Sequence, residues 1–319
     1  MEKFHLEIRR AEYPQDYPSL AAVQNDTEDW QTTVEDLMRH DRNRDPKHHS
    51  QRFVAEIIID NQKIIVGKLL VAHDDFSFEA GKYTIRINVL KTHQNFGIGS
   101  ALYITAQNHL LQLGDAVKLQ TMCNDYELPA LHLLEKHGFV QVWERIESRL
   151  EPKEVDFTKY ASLYSILAQA EIELFRFSSF PPETRVKQLY DLDLELILDV
   201  PFGQTTTPEP FELWQKNFLE DPENNPETIW IAVKNQQWIA FTSLGKQKDH
   251  FYIGMTGVKK EFRGLGIAKA LKLEGVRYAL NSGLEIRTMN DNVNTAMLAM
   301  NFSMGFKRHH SRLRFEKNT

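Results

Sequence analysis

At 319 residues the chain is long for one compact core and sufficient for two of about 150 residues each. An apolar share of 42% beside 26% charged residues excludes wholesale disorder, and 38 basic against 44 acidic side chains (net −6) exclude a general nucleic-acid binder, whose affinity needs surplus Lys and Arg. The single cysteine, Cys123, excludes an internal disulfide and a cysteine-rich zinc site.

The opening Met1-Glu2-Lys3-Phe4-His5-Leu6-Glu7 has no apolar leader, and no later run approaches the ~20 residues of a membrane span. A cytoplasmic setting without membrane partners is expected. In chain order, Leu6–Arg9 reads as a strand. Arg52–Asp60, the turn Asn61-Gln62 and Ile64–Val71 read as a hairpin, and Tyr83–Val89 as a further strand. The turn Gln94-Asn95-Phe96-Gly97-Ile98-Gly99 then leads into a helix with Ile98, Leu102, Ala106 and Leu110 four apart. Thr121-Met122, another helix and His137-Gly138-Phe139 complete the half. The charged, proline-containing Glu151-Pro152-Lys153-Glu154 suits a linker, followed by a bridging helix at about Thr158–Ala170.

From Glu171–Phe177 onward the pattern starts again. Thr228–Val233, the turn Asn235-Gln236 and Trp238–Leu244 repeat the hairpin, and Phe251–Val258 repeats the strand. Arg263-Gly264-Leu265-Gly266-Ile267-Ala268 repeats the turn, with Ile267, Leu271, Gly275 and Ala279 on the helix. Leu284–Met289 is the next strand, and Gly305-Phe306 ends the helix after it. Strand and turn recur at a constant offset of 169 residues (258 − 89 and 266 − 97). The chain therefore reads as a tandem duplication of α/β (α+β, mixed-sheet) domains, 1–152 and 153–319.

Glycines between a strand and a helix leave main-chain N–H groups at the helix start in a concave nest, where the helix dipole favours a phosphate or diphosphate. Neither turn carries the Gly-Lys-Ser/Thr of a Walker loop, and Leu102 and Lys269 stand where a dinucleotide fingerprint has its third glycine. Gln94-x-x-Gly97-x-Gly99 and Arg263-x-x-Gly266-x-Ala268 resemble the Gln/Arg-x-x-Gly-x-Gly/Ala signature of the GNAT (GCN5-related) N-acetyltransferases. The likeness spans nearly the whole chain as two copies, a tandem layout similar to that of the mycothiol synthases. It implies two GNAT-like acyl-CoA N-acyltransferase domains, each with a mixed sheet whose fourth and fifth strands splay apart around pantetheine.

On that resemblance acetyl-CoA is the acyl donor and an amine the acceptor. The expected donor-binding residues are Val258, Arg263, Gly264, Leu265, Gly266, Ile267, Ala268 and Asn294, with Val89, Gln94, Gly97 and Gly99 in the first copy. Residues 259–277 carry six basic against two acidic side chains, +4, which suits the phosphates. Acyl transfer needs a polarised carbonyl, which the N–H near Val258 can supply, a free amine, and a proton for the departing thiolate. Many members place a tyrosine four residues before Gly-Phe for that proton; here Asn301 and Leu134 stand there, so the acid is unassigned. Candidate bases are His250, Tyr252 and Asp199. The second copy keeps Asn290 and Asn301 where the first has Cys123 and Leu134, so the second is expected to be the catalyst and the first a degenerate or structural copy.

The acceptor is expected between the first and second strands of the second copy, at 183–228, where eleven acidic residues face three basic ones, −8. Such a cover would steer a cationic small-molecule or peptide amine. Thr207 is expected to cap a helix beginning at Pro208. The histidine runs His48-His49 and His309-His310 read as isolated surface residues, and no metal is expected. A non-catalytic acyl-CoA-binding or sensing module is the alternative. Acyl length and oligomeric state stay open.

Overall fold

The computed structural model describes residues 5–59 and 61–319, which divide into two compact units. The first takes the chain up to Glu144 together with Arg312–Thr319, and the second takes Arg145–Ser311.

In the first unit the chain order is β1 (Leu6–Arg10), α1 (Tyr17–Thr27), α2 (Val34–Asn43), β2 (Ser50–Ile59), β3 (Gln62–Ala72), β4 (Lys82–Val89), α3 (Ile98–Leu113), β5 (Lys118–Asn124), α4 (Leu128–Lys136) and the start of β6 (Val140–Leu150). Strands β1 to β4 pair antiparallel in sequence, and β4 runs parallel to β5. The outer neighbour of β5 is the end of the chain, with Arg312 opposite Asn124 and Asn318 opposite Lys118. Phe53, Leu69, Tyr83 and Ile85 of the sheet bury against Ile98, Leu102, Ala106 and Leu110, the four positions read from the helical period.

The second unit holds α5 (Ala161–Gln169), β7 (Glu173–Arg176), α6 (Pro182–Ile197), α7 (Phe211–Glu220), β8 (Ile229–Lys234), β9 (Gln237–Lys246), β10 (His250–Val258), α8 (Ile267–Ala279), β11 (Glu285–Asp291), α9 (Thr295–Ser303) and the start of β12 (Lys307–Asn318). Pairing runs β7-β8-β9-β10-β11 and continues onto residues 145–150 of β6, with Arg145 opposite Asp291 and Leu150 opposite Ile286. Here α8 buries Ile267, Leu271, Leu273 and Val276 on one face of the sheet. On the other face Leu189, Leu192 and Leu196 of α6 pack with Phe177, Ile231, Trp238 and Phe241.

The two units thus have the same order, and each is completed by a strand that the linear reading gives to the other copy. A boundary at 152/153 leaves 145–152 in the first half and 312–319 in the second, whereas the contacts assign both the other way. Strand complementarity decides this, because a sheet edge accepts any strand of matching pattern. One helix start also differs from expectation. Residues 208–210 read Pro-Glu-Pro, α7 begins at Phe211, and Pro210 is its N-cap. A residue before proline is disfavoured in the helical region, so Glu209 cannot begin the helix and Thr207 does not cap it. The bridging segment forms a single 3-10 turn, Phe157–Tyr160, that leads into α5.

Candidate acyl-CoA site

Parallel pairing of β10 with β11 lasts four residues, from His250 opposite Glu285 to Ile253 opposite Thr288. Beyond it β10 follows β9 through an irregularity between Ile253 and Thr256, and pairing with β11 stops. Lys259 N–H donates to Ile239 O (2.9 Å) on the β9 side. By strand alternation the N–H and C=O of Val258 point to the side where β11 has parted. Arg263 Nε folds back and donates to Val258 O (2.9 Å), leaving the Val258 N–H as the group offered there. The first unit repeats each part. Pairing of β4 with β5 covers only 82–84 with 118–120, Leu90 N–H donates to Val66 O, and Gln94 Nε2 donates to Val89 O (3.0 Å).

The turn after β10 needs two left-handed residues, Gly264 (φ 85°) and Gly266 (φ 78°); after β4 they are Asn95 (φ 66°) and Gly97 (φ 84°). Asparagine is among the few side chains that tolerate this region, which is why Gly264 and Asn95 interchange without altering the turn. Gly99 is helical, and a Cβ there would make only ordinary contact with Leu133, so Ala268 fits the matching place. Gly266 and Gly97 are N-caps without a side-chain capping bond. Among the described residues no acceptor is seen for the amides of Gly264, Leu265, Gly266, Ile267 and Ala268. Leu265 and Ile267 turn their side chains into the core, so only their backbone groups are available at the turn.

The basic stretch is more occupied than its charge count suggests. Lys259 pairs with Glu195 (2.8 Å), and Lys260 (2.9 Å) and Arg263 (2.7 Å) both pair with Asp199 near the C-terminal end of α6. These bonds hold the Asp199 carboxyl below its ordinary range, so it is a clamp on the turn and a poor proton acceptor. Lys269, by contrast, has no ion pair among the described residues.

Lys272 is not a phosphate-facing lysine. It is 1% exposed, and its Nζ donates to Asn301 Oδ1 (2.7 Å), whose Nδ2 donates to Asn290 Oδ1 (2.6 Å) on β11. Burial without a carboxylate partner pulls its pKa down to about 7. Asn301 is fully buried and links helix to strand, while Asn294 caps α9 by accepting from Met297 N–H (3.2 Å). His250 opens β10 and bonds Asp249 (2.8 Å); burial lowers its pKa against that bond. It lies eight residues from Val258, about 26 Å along an extended strand. Tyr252 sits opposite Arg287, before the strands part. The structure therefore brings Val258, Arg263 and the 264–268 turn together and leaves His250 and Tyr252 at the other end of the strand.

Sequence reading missed a cavity of about 250 Å³ on the α6–α7 side of the sheet. Met255 in the irregular part of β10 and Ser243 of β9 form its floor, with Trp214 and Phe218 in the wall. Asp193, Glu209 and Asp221 line it, together with Asn217 and Asn224, and among the described residues no basic side chain does. Burial pushes the Asp193 carboxyl up to about 6, against a bond from Trp214. The −8 balance of 183–228 was the available signal; which acids turn inward depends on the α6–α7 packing. In the first unit Cys123 is buried and its thiol is pushed up to about 12, a core residue and no nucleophile.

The chain belongs to the acetyltransferase (GNAT) family, whose model matches residues 7–139 and again 190–306. No curated protein sequence matches it. Among solved structures, a tandem GNAT protein from the clavulanic acid biosynthesis pathway superposes with a TM-score of 0.71 at 16% identity, covering 98% of both chains. A GCN5-related N-acetyltransferase from Sphaerobacter thermophilus gives 0.67 at 18% identity, over 98% of this chain and 95% of the other. A GNAT-family acetyltransferase from Colwellia psychrerythraea gives 0.62 at 15%, over 97% and 99%. At these identities the likeness is one of fold: two tandem GNAT domains. No helix among the described residues is long and apolar enough to cross a membrane.

Two predictions follow from the turn and from Lys272. Gly264→Ala and Gly266→Ala each force a side chain into left-handed backbone, costing ~1–2 kcal/mol. Gly266→Ala costs more, because its Cβ would lie 2.4 Å from Leu163 Cδ1, and Leu163→Ala restores part of that loss in urea unfolding. Lys272 is charged in the unfolded chain up to its ordinary pKa but only below about 7 in the fold. The Lys272 contribution to stability therefore rises with pH from about 7 toward the ordinary lysine pKa and is least below about 7. Lys272→Met should stabilise the protein by ~3 kcal/mol at pH 6, an advantage that shrinks toward pH 10.

Proposed function

We propose that the protein is an N-acetyltransferase that carries an acetyl group from acetyl-CoA to a primary amine on a cationic small molecule or peptide, with the second copy as the catalyst. The observation that carries this reading is the parting of β10 from β11 beside the Val258 N–H and the uncommitted amides of 264–268. Those amides would hold the donor's diphosphate at the N-terminus of α8, with Lys269 one turn further on. Acetyl-CoA supplies the activated acetyl thioester. The Val258 N–H is set to donate a hydrogen bond to the carbonyl oxygen as negative charge develops on it, and Arg263 keeps the Val258 peptide in place.

The acceptor would enter from the α6–α7 side, where Met255 joins the cavity floor to the irregular stretch of β10. Asp193, Glu209 and Asp221 favour a cation there, and the aromatic wall favours an apolar or flat body attached to it. The attacking amine must lose a proton, and neither Asp199 nor His250 is placed to take it, so water is the base in this reading. Thiolate departure meets no titratable side chain at Asn301. The nearest proton store is Lys272, one hydrogen bond behind it. The lack of a proton at Asn301 favours the second reading, an acyl-CoA-binding module without turnover.

Thiol release from acetyl-CoA across a panel of amines separates the two. Cationic diamines, amino sugars and peptide amines should turn over, with kcat/KM falling as salt rises, while neutral amines lag. Asp193→Asn should raise KM for cationic amines ~10-fold with kcat nearly kept. The wild-type KM should rise as pH drops through about 6, when Asp193 takes up a proton and loses its charge. No release with any amine, but calorimetric binding that Gly266→Glu abolishes, would establish the module instead.

A further inference from the structure

The histidines at 309 and 310 are not isolated on the surface. His310 is buried, His309 is half exposed, and their Nδ1 atoms lie 2.7 Å apart. Both face Glu147 of β6, which is 1% exposed: His309 Nδ1 is 3.7 Å from its Oε1 and His310 Nε2 is 3.7 Å from its Oε2. Two imidazole nitrogens this close repel through their lone pairs unless a proton or a cation sits between them. We propose that Glu147, His309 and His310 form a binding site for a divalent transition-metal ion of the zinc type.

Geometry and ligand chemistry both support the assignment. Zinc–nitrogen and zinc–oxygen bonds of about 2.0–2.2 Å at tetrahedral angles place ligand atoms roughly 3.3 Å from one another. With one ligand atom taken from each of the three residues, these atoms lie within 4.8 Å of one another, so side-chain shifts of roughly an ångström close the site. Two imidazoles and one carboxylate suit zinc, cobalt or nickel better than the all-oxygen shells of calcium and magnesium. The exposed side of His309 leaves room for water as a fourth ligand.

Glu147 also has an orienting partner. Arg149 Nε donates to its Oε1 (2.6 Å) and shares its charge with Glu285 (3.4 Å), which fixes the carboxylate and leaves Oε2 on the His310 side. Arg145, on the same face two residues along β6, lies over the ring of Phe202 (5.8 Å) in the connection between α6 and α7. A metal ion here would tie β6 to β12, remote from the glycine turn in sequence and independent of whether the acetyl-transfer reading holds.

The test uses the full chain, stripped with chelator and titrated with zinc chloride or cobalt chloride. Calorimetry should show one zinc equivalent at about micromolar or tighter affinity, and cobalt should give the strong visible absorption of a tetrahedral site. His309→Ala, on the exposed side where folding is least at risk, should weaken zinc binding ~10–100-fold, and Glu147→Gln likewise, whereas His48→Ala should not. Binding of acetyl-CoA should be the same in wild type and His309→Ala. Zinc binding that His309→Ala leaves unchanged, or no binding above that of the variant, would overturn the proposal and leave a shared proton between the rings.

Discussion

The structure turns on the short parallel contact between β10 and β11. Four paired residues hold the strands together, and the irregularity after Ile253 keeps β10 with β9 while β11 goes its own way. A longer parallel ladder would satisfy the Val258 N–H internally and close the gap. A shorter one would detach β11 from its neighbour. The same shortness in β4 and β5 of the first unit shows that the constraint belongs to the repeat and not to one copy.

Much of this was legible in the sequence because it rests on local rules. The apolar positions four apart on α3 and α8, the two hairpins and the glycine turns all declare themselves through period and backbone preference. The equivalence of Asn95 and Gly264 is similarly local, since both positions demand a left-handed residue. Strand exchange was not legible: β6 and β12 carry compatible patterns, and chain order alone assigns each to the copy in which it is written. The helix start at Phe211 was misplaced because a threonine–proline cap signal was followed too closely by a second proline.

Electrostatics separated most sharply from composition. A stretch of six basic residues dissolves into clamps on Glu195 and Asp199, a cation over the rings of Phe157 and Tyr164 (Arg277), one buried lysine, and a single uncommitted Lys269. Charge counts measure a segment, whereas a site is set by which side chains the helix packing turns inward. Lys272 and Asp193 illustrate this in opposite senses. One is a cation taken out of solvent next to two amides, the other a carboxylate held at the edge of a cavity, and both have their pKa drawn toward neutrality by burial. Asn301 could be seen from its distance to Gly305-Phe306, but its partner Lys272 could not, because they meet only through tertiary packing.

The central claim is that the main-chain amides of 264–268 receive the diphosphate of acetyl-CoA while its pantetheine arm occupies the gap between β10 and β11. A crystal structure of the protein grown with acetyl-CoA tests this directly. The account predicts diphosphate oxygens at ~3 Å from those amide nitrogens, with the thioester carbonyl directed at the Val258 N–H. An ordered donor bound elsewhere, with the turn of the second copy empty, would contradict it.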